Sequence, residues 1–174
     1  MPKKQDHRDH ITEILSELTD AGVAFIIAGG VAAVLHGVER LTLDIDLAIK
    51  LTPENIDRFW RAAKKLKLVP RVPITPEILG NPESVRRIVE EKGAIVISFI
   101  DPDKPYRHLD IFLRDDLSYE KLLPETKQVT IGGRNMCIVS IERLLKIKEA
   151  ISTPREKDLL DIRVLRRLLE DHQA

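Results

Sequence analysis

Two aspartates one residue apart, Asp44-Ile45-Asp46, close a segment that opens with the pair Gly29-Gly30. In an extended chain, carboxylates at i and i+2 leave the same face, about 6–7 Å apart at the backbone. Ionising both at that distance is costly without a counter-charge. A divalent cation is the usual resolution, and magnesium takes oxygen ligands while keeping positions for water and substrate phosphates. The plain alternative is a solvent-facing strand with two charges. The glycines weigh against it. A Gly-Gly between a strand and a helix lets backbone N–H groups approach a phosphate, and the helix N-terminus adds a positive dipole. Phosphate cradle and metal carboxylates would then be neighbours, joined by one short helix.

A third carboxylate would complete a two-metal site, the kind that clamps the attacking and leaving oxygens of an in-line displacement. Asp110 fits. In the run His108-Leu109-Asp110-Ile111-Phe112-Leu113, the residues Leu109, Ile111 and Leu113 face one way and Asp110 the other. Asp101 and Asp103 sit in a proline-flanked turn, while Asp115 and Asp116 follow the strand.

The elements that must position these groups are legible as periodicities. Ile11, Ile14, Leu15 and Leu18 predict an amphipathic opening helix over 7–20, followed by an apolar strand over 23–28 and a helix over 31–35. Residues 42–49 alternate, with Leu43, Ile45, Leu47 and Ile49 on one face and Thr42, Asp44, Asp46 and Ala48 on the other. Thr52-Pro53, Thr75-Pro76 and Thr153-Pro154 share one helix-start grammar, threonine as cap and proline at the first helical position. Thr153 with Glu156 spells a capping box. Asn81-Pro82 starts a further helix, through Glu91. Strands follow over 94–100 and 107–113, a hairpin over 127–131 and 135–139 turns at Gly132-Gly133, and helices over 140–152 and 154–171 close the chain. The expected fold class is α/β (α+β): a small mixed β-sheet flanked by helices, with a C-terminal helical pair.

Composition excludes several functions. The 174 residues are 43% hydrophobic, enough for one cored domain. Lys plus Arg and Asp plus Glu stand at 28 each, so no global field draws the chain to nucleic acid or membrane. Only 4% of the chain is aromatic, which argues against a stacking platform for single strands. Cys137 stands alone, so there is no disulfide framework or cysteine zinc site. No apolar run backs the basic N-terminus as in a signal peptide, and none reaches membrane-spanning length. A soluble cytoplasmic protein is expected.

Gly29-Gly30, Asp44-x-Asp46 and Asp110 together resemble the nucleotidyltransferase superfamily with a DNA-polymerase-beta-like palm. The finer pattern, IAGGVAAVLHG and then Arg40-x-Thr42-x-Asp44-x-Asp46, is similar to a bacterial branch that includes abortive-infection-type toxins. Leu144-Leu145-x-x-Lys148 and Arg155-x-Lys157-Asp158-x-x-Asp161 look like that branch's helical tail, so the resemblance runs from about residue 11 to 169. It implies a palm domain over 1–139 and a helical tail over 140–174 packed on it. It also implies two Mg2+ ions, Asp44 and Asp46 holding both and Asp110 the second, where it would help deprotonate an acceptor hydroxyl. Gly29 and Gly30 would cradle the β- and γ-phosphates of an NTP, and the products would be a nucleotidylated acceptor and pyrophosphate. Gly30 stands where many active members carry serine, so a hydroxyl contact to the triphosphate would be missing.

The acceptor is open among a tRNA end, a protein side chain and a small molecule. A homodimer or a small partner protein would supply the acceptor surface that so short a chain lacks. The competing reading is a palm that serves as an antitoxin or partner-binding module. Among flanking residues, Arg40 is either a phosphate contact or a surface ion pair, and Thr42 either orients the aspartates or is a β-former. Lys148 falls on the apolar stripe of Ile141, Leu144, Leu145 and Ile151; it either snorkels or crosses to the triphosphate. Lys157, Asp158 and Asp161 read as a solvated helix face with a Lys157–Asp161 pair. His36 reads as a packed histidine and His108 as a neighbour of Asp110, while His7 and His10 show no metal-ligand partner.

Overall fold

The structure is a computed structural model that describes residues 4–173, and the side chains of 10–171. His7 therefore contributes only its helical backbone, and its side chain lies outside the described residues. The elements run α1 (Lys4–Asp20), β1 (Phe25–Ala28), α2 (Gly29–His36), β2 (Ile45–Ile49), α3 (Pro53–Lys65), β3 (Val69–Pro70), α4 (Pro76–Leu79) and α5 (Pro82–Lys92). They continue with β4 (Val96–Asp101), β5 (Lys104–Phe112), α6 (Tyr119–Leu122), β6 (Thr126–Ile131), β7 (Arg134–Val139), α7 (Ile141–Glu149) and α8 (Glu156–Gln173). The seven strands form one mixed sheet in the order β3-β4-β5-β2-β1-β7-β6. β2–β5 and β1–β7 are the parallel pairs and the other neighbours are antiparallel. The expected α/β class, mixed sheet and closing helical pair are all present.

The central strands are the most apolar, as parallel pairing with covered faces requires. Every residue of β2 is buried except Asp46. On α3, Ile56, Phe59, Ala62 and Ala63 form the buried stripe, and Phe59 meets Phe99 of β4 edge-on at 4.9 Å between ring centroids. Asn55 locks α3 to the sheet: its side chain accepts from Ala24 N–H and donates to the carbonyls of Ala24 and Lys50. Such a fully bonded buried amide fixes where β1 begins and β2 ends relative to the helix.

Two local expectations are corrected. Within the alternating stretch 42–49 only Ile45–Ile49 is strand. The reason is the neighbour: β1 pairs Ala28 with Asp46 and then turns at Gly29, so Thr42–Asp44 have no strand beside them on that side. The capping box also moves. α8 begins at Glu156 rather than at Pro154, and the carboxylate that reaches back is that of Asp158, accepting from the Arg155 N–H at 3.1 Å. Asn81 caps α5 as expected, and Gly132-Gly133, both with positive φ, turn the β6–β7 hairpin.

Candidate active site

One row of side chains crosses four strands at the same level. Ala28 of β1 is opposite Asp46 of β2, Asp46 is opposite Asp110 of β5, and Asp110 is opposite Ser98 of β4. Partners in register share a face, so the two carboxylates stand side by side. Ser98 Oγ donates to Asp110 Oδ1 at 2.5 Å, fixing one oxygen of that carboxylate. Burial pushes the Asp46 carboxyl above the usual carboxylate range, and the charges of Asp110 and Asp44 push it further. A hydrogen bond from the Gly30 N–H opposes the shift.

The glycine pair serves this row directly. Gly29 has φ +56°, and a Cβ there would collide with the Asp46 carboxylate. A Cβ on Gly30 would stand 2.6 Å from Thr42 Oγ1 and 2.9 Å from Arg40 Nη2. Gly29 needs glycine on both counts, whereas at Gly30 the Thr42 and Arg40 side chains would have to give way to a Cβ. α2 starts at Gly29, so its N-terminus faces the carboxylates.

Asp44 stands just before β2, partly exposed, and its oxygens are taken by His108 Nε2 at 3.1 Å and Lys157 Nζ at 3.5 Å. His108 thus flanks the acids as its spacing suggests. Among the described residues no three His, Cys, Asp or Glu side chains gather tightly enough to hold a metal as they stand. The donor set nevertheless suits a hard divalent cation. Asp46 and Asp110 offer only carboxylate oxygens and repel one another, which together with burial pushes the Asp46 carboxyl up; a bound cation would relieve that repulsion. Asp44 would join them by leaving His108 and Lys157.

Arg40, Lys148, Asp158 and Asp161 make a second charged cluster behind the loop. Arg40 Nε and Nη2 grip the two oxygens of Asp161 at 2.6 and 2.9 Å. Lys148 Nζ lies 2.7 Å from Asp161 Oδ2 and 3.1 Å from Asp158 Oδ1. Lys148, Asp158 and Asp161 are all buried, which overturns the solvated helix face, the Lys157–Asp161 pair and the snorkelling lysine. Packing decides it: α8 lies against both α7 and α2, so the Asp158–Asp161 face turns inward. Burial raises the Asp158 carboxyl, but hydrogen bonds from the Arg155 guanidinium and backbone and from Lys148 prevail and hold it at about 2. Asp161 is likewise held low against its burial by Arg40 and Lys148.

Both clusters border an open cleft of about 410 Å3, whose lining includes Gly29, Gly30, Asp46, Asp110, Lys148 and Lys157. Arg40, Thr42 and Asp44 line it as well, so the expected catalytic and nucleotide-binding residues all reach this one cleft, while Asp161, His36 and His108 are not in its lining. Thr42 makes only a long contact, 3.5 Å, to the Asp44 carbonyl and none to a carboxylate. His36 is a packed histidine bonded to the Val139 carbonyl, and His10 is buried in α1 beside Tyr106. Ser98 and the inward turn of Lys157 escaped sequence reasoning. The alternation in AIVISFI puts Ser98 on one face of a strand, but only the β4–β5 register sets it opposite Asp110.

No family model and no curated protein matches the chain. Solved structures do. The lincomycin-bound lincosamide antibiotic adenylyltransferase LnuA aligns at TM-score 0.62 and 15% identity, over 92% of this chain and 96% of its own. This chain has the nucleotidyltransferase fold. The antibiotic-resistance factor ANT(2'')-Ia aligns at TM-score 0.56 and 16% identity, over 98% of this chain and 95% of that one. A nucleotidyltransferase-like antigenic protein from Paracoccidioides brasiliensis aligns at 0.57 and 15%, over 95% and 77%. At these identities the likeness establishes the nucleotidyltransferase fold, which folds of this kind share across many chemistries. Among the described residues no helix is long and apolar enough to cross a membrane.

Proposed function

We propose that the chain is a Mg2+-dependent nucleotidyltransferase, which moves an NMP from an NTP to an acceptor hydroxyl and releases pyrophosphate. The observation that carries this reading is the in-register pair Asp46–Asp110 set against the Gly29-Gly30 turn and the α2 N-terminus. Asp44, Asp46 and Asp110 would hold the cation, which would supply the positive charge that the phosphates and the developing oxyanions need. Gly29, Gly30 and the helix end receive the terminal phosphates. Thr42 and Arg40 keep the acidic loop seated on the turn. The acceptor oxygen attacks the α-phosphorus, the bond to the bridging oxygen breaks, and the hydroxyl proton passes to Asp110. Ser98 leaves Asp110 one oxygen for that proton by occupying the other.

The lysine roles divide by burial. The Lys148 ammonium is committed to Asp158 and Asp161, so it acts on the floor as a fixed nearby charge. Lys157 is half-exposed, faces Asp44 from the cleft wall and is the cation that a phosphate can recruit once Asp44 turns to the metal. The test is transfer of label from an α-phosphate-labelled NTP, with pyrophosphate measured in parallel. Pyrophosphate that appears with Mg2+ and disappears in Asp110→Asn supports the reading; no release with any NTP and any acceptor extract contradicts it.

A partner-binding or antitoxin-type palm is the second reading. It is favoured by the engagement of Asp44 with His108 and Lys157, which leaves the acids unconverged. Stable copurification with a second small protein, together with silent NTP chemistry, would favour it.

A further inference from the structure

Beyond Asp110 the cleft changes character. Phe112 and Arg114 follow Asp110 at two-residue steps, and both line the cleft. Arg143, Lys146 and Ile147 of α7 line the same cleft, and Arg143 donates to the Asp116 carbonyl beside them. Two isoleucines in the cleft lining are unusually open for their type, Ile95 at 54% and Ile151 at 36% exposure. Apolar side chains left exposed inside a concave site mark where a ligand body lies.

The charges in this half are unbalanced. Its one carboxylate is Asp116, and Arg114 already grips both its oxygens at 2.9 and 2.7 Å. Lys146 is exposed and its ammonium makes no ion pair or hydrogen bond among the described residues. Arg143 gives one nitrogen to the Asp116 carbonyl at 2.9 Å, while its buried Nε forms no hydrogen bond and has Glu125 at 3.6 Å. Three cations thus meet two acids, Asp116 held by Arg114 and Glu125 beside Arg143, and the Lys146 ammonium has none.

We propose that this half of the cleft binds the acceptor, and that the acceptor is a hydroxyl compound with an apolar body and a terminal phosphate or carboxylate. The proposal rests on the nucleotidyl-transfer reading. The acceptor hydroxyl belongs at Asp110, and the terminal phosphates of the NTP belong at Gly29-Gly30, on the other side of the carboxylate row. A nucleobase or ribose has no anion for Arg114, Arg143 and Lys146 to meet, so those cations serve the other substrate. Arg114 lies four residues on from Asp110, about 13 Å along extended chain, which bounds the span from hydroxyl to anion. A polycationic acceptor would meet like charges with no free carboxylate to compensate, a strong element of rejection.

The experiment saturates the protein with Mg2+ and a non-hydrolysable NTP analogue, then titrates three isosteric probes by NMR. These are 2-(4-carboxyphenyl)ethanol, 2-phenylethanol and 2-(4-aminomethylphenyl)ethanol: anionic, neutral and cationic at one end. The carboxylate is expected to bind at least tenfold tighter than the neutral probe, and the amine weakest. Lys146→Glu, an exposed position, should abolish the carboxylate's advantage and Lys146→Arg should restore it, with nucleotide affinity reporting an intact fold. Equal binding of all three probes, or preference for the amine, with nucleotide bound, overturns the proposal and leaves nucleotidyl transfer standing. Failure to bind any nucleotide removes the underlying reading, and this proposal with it.

Discussion

Two groups of buried or half-buried aspartates border one cleft and behave in opposite ways. Asp158 and Asp161 are surrounded by Arg40, Lys148 and Arg155, and their carboxyls sit below the usual range. Asp46 is surrounded by Asp110 and Asp44, and its carboxyl sits above it. The first group has its counter-charges inside the protein and holds α7, α8 and the Arg40 loop together. The second has Lys157 and His108 on Asp44 alone, and under the proposed function a cation would supply the charge that Asp46 and Asp110 are short of. Structural acid pairs complete themselves, whereas acids that await a ligand stay electrostatically frustrated.

Replacing one carboxylate by its amide in each group should therefore give opposite results. Asp161→Asn leaves Arg40 and Lys148 without their shared anion and should cost about 3–5 kcal/mol in urea unfolding, the usual loss when a buried pair is broken. Asp46→Asn removes a repelling charge and should be neutral or stabilising by up to about 1 kcal/mol, while cation binding is lost. Equal destabilisation by both would erase the contrast.

Gly29→Ala probes the acidic floor through its backbone. At φ +56°, with a Cβ colliding with Asp46, it should cost more than about 1 kcal/mol and displace the carboxylate. Thermal melts and metal titration read the two effects.

Acid should unbalance the paired group alone. Asp158 falls from 3.8 when free to about 2 in the folded chain, so it binds its proton less readily folded than unfolded. Its contribution is complete above pH 3.8 and drains away as the pH falls through about 2. Asp158→Asn should flatten the fall in Tm across that window.

The smallest effect sharpens the division between the lysines. Lys157→Met should change stability by less than about 0.5 kcal/mol, as exposed pairs do, and weaken nucleotide binding severalfold. Lys148→Met should instead unfold the chain at lower urea.

The floor was legible in the sequence because its signals are local. A strand, two glycines and alternating aspartates are read within a few residues, and the Asp110 alternation places it on a strand face. The paired group was misread because its partner is remote: Arg40 and Asp161 are 121 residues apart. A helix face with Lys157, Asp158 and Asp161 looks solvated until α7 and α2 are laid against it. The start of β2 was misplaced for a similar reason, since alternation reports a side-chain pattern and strand ends depend on where the neighbour stops.

The most direct test of the account is calorimetric titration of each NTP, with and without Mg2+, into the wild type and an Asp44→Asn, Asp46→Asn double variant. The account predicts Mg2+-dependent binding of at least one NTP that the folded double variant loses. Binding that survives in the variant, or no binding of any NTP by the wild type, would contradict it.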